Sequence, residues 1–282
     1  MEIFSSEKIT DRITRITEIT GTHMYLAEGT DRAILIDTGC GIGDLKGYVE
    51  QLTEKPLTVV CTHGHLDHAG GANQFEQVYL NKADWELTLT HCSLENRKEY
   101  TRIMVEMLHP DRTMQEIERS GFQKIRKKPY AELKQGMKFE LGGLTVQPLA
   151  LKGHTAGSMC MLFCEERAIL LGDACNPSVF LFDVEAESVE TYRHELEEFQ
   201  KYEKCYDRVW ISHGPGMDIP KEILKQNIQV CDEILTGKDE KVDFQFFLGG
   251  TYKSAHRMRS DQTREDGGLA NIIYNPCRIF AK

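Results

Sequence analysis

A short apolar run, Leu57-Thr-Val-Val-Cys61, leads without a spacer into Thr62-His63-Gly64-His65-Leu66-Asp67-His68. Imidazole nitrogens and carboxylate oxygens are ligands of divalent cations. A loop leaving a strand end can turn side chains spaced this closely toward one centre, with Gly64 supplying backbone freedom. The small exit Ala69-Gly70-Gly71 fits a built turn better than a solvated histidine patch. A chain carrying this loop needs a rigid sheet edge to hold it.

The surrounding pattern provides one. Ile13 to Ile19, then Met24, Leu26 and Ala33 to Ile36, alternate apolar and polar positions, with Gly21 and Gly29-Thr30-Asp31 as turns, which predicts an antiparallel meander. Gly41 to Thr53 is helical in pattern through Leu45, Tyr48, Val49 and Leu52, and Pro56 ends the connection to the Leu57 strand. Strand, helix and strand in that order mean a sheet with helices on its face. From Lys82 to Leu133 the pattern is helical and charged, with Tyr100, Ile103, Met104, Met107 and Leu108 on one stripe and Pro110 as a stop. Residues 82–135 therefore read as a helical insertion.

Strand periodicity returns at Met137 to Leu141, Leu144 to Leu151, Ser158 to Cys164 and Ala168 to Leu171. A helix over Glu187 to Tyr206, a strand at Val209 to Ile211 and a helix over Lys221 to Leu235 follow. The tail, residues 242–282, is mixed, with a polar Tyr252 to Arg264 and an apolar Ala270 to Tyr274, and is expected to pack on the rest. The recurring order of strands then helix predicts two similar halves facing each other in a single domain spanning residues 1–282.

Composition narrows the partners. Lys plus Arg total 34 against 44 Asp plus Glu, a net charge of −10 that repels phosphate backbones, so nucleic acid is not an expected partner. No apolar run approaches the roughly 18 residues of a membrane span. The opening Met1 to Lys8 lacks the charged-then-apolar order of a signal peptide. The 9 cysteines are odd in number, form no Cys-x-x-Cys pair and sit mostly in apolar stretches, as reduced, buried small hydrophobes do. A cytoplasmic protein without membrane contact is expected; the oligomeric state is left open.

Three more candidates follow apolar runs: Gly153-His154-Thr155, Gly172-Asp173-Ala174 and Ser212-His213-Gly214-Pro215. A lone histidine or aspartate at a strand end is more often a cap or a turn residue. The weight comes from the whole set.

His-x-His-x-Asp-His, then Gly-His-Thr-x-Gly-Ser, then Gly-Asp, then Ser-His-Gly resembles the metallo-beta-lactamase-fold hydrolase superfamily, and Ile36-Asp37-Thr38-Gly39 matches its strand-end signature. The resemblance covers residues 20 to 220 or so and is specific for fold and metal site, far less for substrate. It implies an α/β (α+β) architecture, a four-layer αββα sandwich with a helical insertion and a two-metal site at one edge. His63, His65 and His154 would hold one metal, Asp67, His68 and His213 the second, and Asp173 would bridge both. Asp37 would orient the histidine loop through hydrogen bonds. Zinc suits this ligand set, with iron or manganese as alternatives. A metal-bridging hydroxide would attack a small anionic ester, thioester or lactone, with Asp67 steering it and shuttling its proton.

Departures from the family pattern narrow the substrate. Asp173 stands where antibiotic-hydrolysing lactamases commonly carry a cysteine ligand, which disfavours beta-lactam hydrolysis. Asn176 stands where lactonase relatives tend to place tyrosine; its amide is a candidate donor to a substrate oxygen, against the alternative of serving its own turn. The rival classes are a phosphodiesterase or small nuclease on the same site, a mononuclear iron sulfur dioxygenase, and a non-catalytic metal-binding protein. Lys124, Arg126, Lys127 and Lys128 form a basic run that reads as a solvated helix end before it reads as a lid for an anionic substrate. Tyr252, Lys253, His256, Arg257 and Arg259 admit the same pair of readings. His23, His91, His109 and His194 have no motif context and receive no role.

Overall fold

Alternation along the strands sorts the apolar side chains into layers. In the computed structural model, which describes residues 2–214 and 218–281, a 7-stranded sheet runs in chain order. Its strands are β1 (Phe4–Lys8), β2 (Ile13–Glu18), β3 (His23–Glu28), β4 (Ala33–Ile36), β5 (Leu57–Val60), β6 (Tyr79–Leu80) and β7 (Ala131–Glu132). Strands β1 to β4 pair antiparallel, and β4 to β7 pair parallel. The second half contributes β8 (Phe139–Glu140), β9 (Thr145–Ala150), β10 (Met159–Phe163), β11 (Ala168–Leu170), β12 (Ser178–Leu181) and β13 (Arg208–Trp210). All but β12 form a 5-stranded sheet, ordered β13-β11-β10-β9-β8.

Successive residues of a strand point to opposite faces. Ile34, Ile36 and Val60 on one sheet meet Met159, Met161, Phe163 and Leu170 on the other, with Tyr25 stacked 5.8 Å from Trp210. The intervening residues Leu35, Val59 and Cys61 face outward under α1 (Leu45–Leu52). Both faces of the central strands are covered, which is why Ala33–Ile36 and Met159–Phe163 read as unbroken apolar runs.

α2 (Leu66–Ala69) lies in the histidine loop, and the inserted segment supplies α3 (Trp85–His91), α4 (Leu94–Leu108) and α5 (Met114–Ser120). On the second sheet, Cys160, Ile169 and Val209 pack against α6 (Val189–Phe199) and α7 (Ile223–Leu235). Together these layers make the expected mixed α/β arrangement.

Two readings of the sequence are corrected, and the tail adds strands that the sequence reading did not place. The buried stripe of α4 is Arg97, Tyr100, Thr101 and Val105, while Met107 and Leu108 are exposed. Arg97 is buried because its guanidinium donates to the carbonyls of Cys92, Cys40 and Gln123, a set that apolar periodicity cannot show. The stretch after Ser120 is not helical, since Ala131–Glu132 is taken as the edge strand β7. The tail builds β14 (Val242–Gln245), β15 (Thr251–Ser254) and β16 (Asn271–Tyr274), which join β12 in a third, 4-stranded sheet.

Candidate metal centre

Strand ends deliver the polar side chains. β4 ends beside β5, and the next residue, Asp37, has φ of 67°, a left-handed conformation that aspartate tolerates better than most residues. This turn aims its carboxylate at the histidine loop. Oδ1 accepts from the Thr62 amide at 2.7 Å, and Oδ2 accepts from His68 Nδ1 at 2.9 Å. His68 is thereby left with Nε2 as its acceptor, facing the other candidates.

Asp84, at the start of the inserted segment, ties two loops together. Its Oδ2 accepts from the Gly64 amide at 2.9 Å and from Thr155 Oγ1 at 2.7 Å, and its Oδ1 accepts from the Gly157 amide at 2.9 Å. Burial pushes this carboxyl upward and the donors counter it. A Cβ on Gly157 would come within 2.5 Å of the carboxylate, so glycine there permits the approach.

His154 Nδ1 donates to the Phe180 carbonyl at 2.9 Å, and His65 Nε2 donates to Glu185 Oε1 at 2.8 Å. Each bond leaves the other ring nitrogen as an acceptor in the neutral imidazole. Those two acceptors, His65 Nδ1 and His154 Nε2, stand 2.9 Å apart. Two lone pairs at that distance repel unless a proton or a cation lies between them. The His63 ring is 4.7 Å from that of His65 and 5.0 Å from that of His154.

Carboxylates meet the remaining imidazoles. His68 Nε2 is 3.6 Å from Asp67 Oδ2 and 3.4 Å from Asp173 Oδ2, and His213 Nε2 is 3.3 Å from both. Asp173 Oδ2 is also 3.8 Å from His154 Nε2, so Asp173 stands between the two groups of candidate ligands. His63 Nε2, His68 Nε2 and Asp173 Oδ1 are buried with no hydrogen-bond partner among the described residues. Buried polar atoms are seldom left so.

The electrostatics agree with this geometry. Burial holds His63 well below the usual imidazole range, and burial followed by the neighbouring His65 brings His154 down to about 4. Burial also works against charge on His68, but Asp67, Asp37 and Asp173 outweigh it and raise the group; Asp173 and Asp67 do the same for His213. The cluster draws positive charge. His63, His65 and His154 can place one ligand atom each within 4.8 Å of one another, as can Asp67, His68 and His213, and this donor set suits divalent metal ions.

Several contributors escaped the sequence reading. Tyr100 Oη donates to Asp67 Oδ2 at 3.0 Å, and Thr22 Oγ1 reaches the same oxygen at 3.4 Å. His91 stacks 4.3 Å from the His65 ring and accepts from the Leu66 amide at 3.1 Å. His23 donates through Nε2 to the Gly214 carbonyl at 2.7 Å, beside His213. Pro215, quoted with that turn, lies outside the described residues. Asp84, Tyr100, His91 and Glu185 lie in no motif; a buried carboxylate in a charged, solvated-looking stretch leaves no periodic signal.

Other candidates are held elsewhere. Asn176 Oδ1 accepts from the Ser178 amide at 2.8 Å, and Asn227 Nδ2 donates to the Asn176 carbonyl at 3.2 Å, bonds that shape the turn into β12. In the basic run, Arg126 is buried and donates to the carbonyls of Ala72, Phe75, Glu76 and Pro129, while Lys128 pairs with Glu76. In the tail, Lys253 pairs with Asp243, His256 with Glu233 and Arg257 with Glu240.

The family model of the metallo-beta-lactamase superfamily matches residues 18–204, more than half of the chain, and the chain belongs to that superfamily. It is 27% identical over 165 residues to the acyl-coenzyme A thioesterase MBLAC2 of Gallus gallus, covering 54% of this chain and 56% of that protein. It is also 27% identical over 178 residues to the atrochrysone carboxyl ACP thioesterase of Aspergillus chevalieri, covering 59% and 46%. The chain thus matches about half the length of these relatives. Among solved structures it is similar in fold to the metallo-beta-lactamase FIM-1 of Pseudomonas aeruginosa in its mono-zinc form, with TM-score 0.58, 15% identity and coverage of 83% and 96%. The sec-alkylsulfatase Pisa1 of Pseudomonas sp. gives TM-score 0.61, 14% identity and coverage of 83% and 42%.

Proposed function

We propose that the chain is a metal-dependent hydrolase of small acyl thioesters that holds two divalent ions, zinc in the first instance. In this reading His63, His65 and His154 hold one ion, Asp67, His68 and His213 the other, and Asp173 serves both. The observation that carries it is the pair of acceptor nitrogens, His65 Nδ1 and His154 Nε2, facing each other at 2.9 Å beside the unpartnered His63 Nε2. The thioesterase names of the two relatives supply the substrate class. A substrate of this kind is a small molecule; neither nucleic acid nor a membrane is needed, and no described helix is long and apolar enough to cross a membrane. The exposed free thiols of Cys205 and Cys277 suit a reducing cytoplasm.

Divalent ions held by these residues would supply a water ionised near neutral pH and would polarise the substrate carbonyl. The chain's own residues do the rest. Asp67 stays ionised, because His68 and His213 outweigh its burial, and can orient the attacking water and take its proton. Tyr100 and Thr22 both donate to Oδ2 and so set the plane of that carboxylate. Glu185 fixes the His65 ring and Asp37 the His68 ring. Asn176, whose Oδ1 accepts from the Ser178 amide, is read here as serving its turn rather than the reacting oxygen.

The test is thiol release from acetyl- and hexanoyl-coenzyme A by the zinc-loaded protein, beside an aryl ester, a lactone and an aryl phosphodiester, with and without a chelator. Thioester cleavage at least tenfold more efficient than phosphodiester cleavage, lost on chelation and regained with zinc, supports the reading. A preference for the phosphodiester, or cleavage indifferent to the chelator, overturns it.

A further inference from the structure

The tail hairpin adds aromatic rings to a line that meets the candidate metal centre at Tyr100 and at Phe180. β14 and β15 pair with Phe244 opposite Tyr252, and the connecting loop carries Phe246, Phe247 and Leu248. From one side, Tyr100, whose hydroxyl is on Asp67, has its ring 6.1 Å from that of Phe247. Phe247 lies 4.5 Å from Phe246, Phe246 lies 4.9 Å from Phe182, and Phe182 stacks 4.1 Å from Tyr252. At the far side the Phe180 carbonyl, which accepts from His154, belongs to a residue whose ring is 5.6 Å from that of Phe246. The line therefore runs from the Asp67 edge of the ligand cluster to its His154 edge.

Part of this line is open to water. Phe247 is 41% exposed and Leu248 40% exposed, while Phe246 and Tyr252 are half-buried. Large apolar side chains gathered at a loop tip, continuous with a polar cluster, mark a surface that something apolar covers. The charge nearby indicates which part of a substrate that is. Asp183 directly follows Phe182, whose ring stacks on Tyr252, and Glu185 comes two residues later, so the far end of the line carries carboxylates. That end repels the phosphates of a coenzyme A or carrier-protein arm and any charged acyl group.

We infer that Phe246, Phe247, Leu248 and Tyr252 form the rest for an uncharged, extended acyl chain whose thioester carbonyl lies at the metal centre. This choice of occupant rests on the thioesterase reading. Each methylene laid on such a surface is worth up to about fourfold in affinity, so preference rises with chain length and a terminal carboxylate abolishes the gain.

Binding tests it independently of turnover. Calorimetry on the zinc-loaded protein compares the thioethers ethyl-coenzyme A and decyl-coenzyme A, which cannot be hydrolysed, in the unaltered chain and in the Phe247→Ser and Leu248→Ser variants. Both variants alter exposed positions, and circular dichroism checks their fold. The expected result is at least tenfold tighter binding of the decyl compound, reduced at least fivefold in the Phe247 variant and unchanged by Phe280→Ser, an exposed aromatic outside the line. Equal affinity for the two thioethers, or a chain-length gain that survives both substitutions, overturns the inference. A gain that follows these residues, in a protein that cleaves no acyl thioester of any length, upholds the apolar rest and refutes the thioesterase reading instead.

Discussion

Tyr100 Oη donates to Asp67 Oδ2 across 3.0 Å, so a helix of the inserted segment is wired directly to the carboxylate of the histidine loop. Asp67→Asn is expected to lower kcat far more than folding stability, since the proposed function has the group serve both metal holding and the attacking water. Tyr100→Phe keeps the ring and removes one donor to a charged acceptor, and is expected to lower kcat about tenfold. Steady-state kinetics with the metal restored, beside thermal melts, checks both. Full turnover in Asp67→Asn would make that carboxylate structural.

Glu185 acts through His65. Burial raises its carboxyl, yet the His65 hydrogen bond and charge win and bring it to about 2, as suits an acceptor for the His65 Nε2 proton. Glu185→Ala frees the His65 ring to rotate and is expected to weaken zinc binding about tenfold to a hundredfold, with partial recovery in Glu185→Gln. Competition against a fluorescent zinc chelator measures this. Unchanged zinc affinity in Glu185→Ala would show that packing alone orients His65.

His23 gives a pH signature. Burial brings it from 6.5 to about 4, and its neutral ring accepts from Thr17 and donates to Gly214. Between about pH 4 and 6.5 the unfolded chain binds the extra proton, so stability rises with pH across that window. The contribution is complete above 6.5 and lost toward 4, a change of about 3 kcal/mol. His23→Gln is expected to flatten this limb, read as the difference between the urea-unfolding free energies of the two proteins at pH 4.5 and pH 7. Parallel pH profiles would contradict it.

Asn176 is the residue for which sequence and structure point to different experiments. Its position three residues after Asp173 is compatible with a donor to the reacting oxygen, while its Oδ1 is engaged by the Ser178 amide. Asn176→Ala is therefore expected to cost about 1 kcal/mol of stability, the worth of the turn bond, with kcat within about twofold. A tenfold fall in kcat at unchanged melting temperature would restore it to the reacting oxygen.

Strand ends were the legible part of this molecule. The runs before His63, His154, Asp173 and His213 are short and mostly apolar, and each stops at the glycine, serine or threonine turn that carries the candidate ligand. The third sheet was not legible, because β12 pairs with β16 from the far end of the chain and neither run names its partner. Nor was the phase of α4, where Arg97 and Thr101 take buried positions that Met107 and Leu108 would claim by hydrophobicity. Asp84 and Glu185 are single carboxylates whose importance lies in three-dimensional hydrogen bonds, to Gly64, Thr155 and Gly157 in one case and to His65 in the other.

Metal stoichiometry tests the central claim most directly. Elemental analysis of the purified protein, followed by titration of the chelated protein with zinc, is expected to approach two ions per chain, because Asp173 lies within reach of both histidine groups. His213→Ala is expected to reduce this to one while His63, His65 and His154 retain theirs. One tightly held iron per chain, with no second ion taken up on titration, would contradict the account.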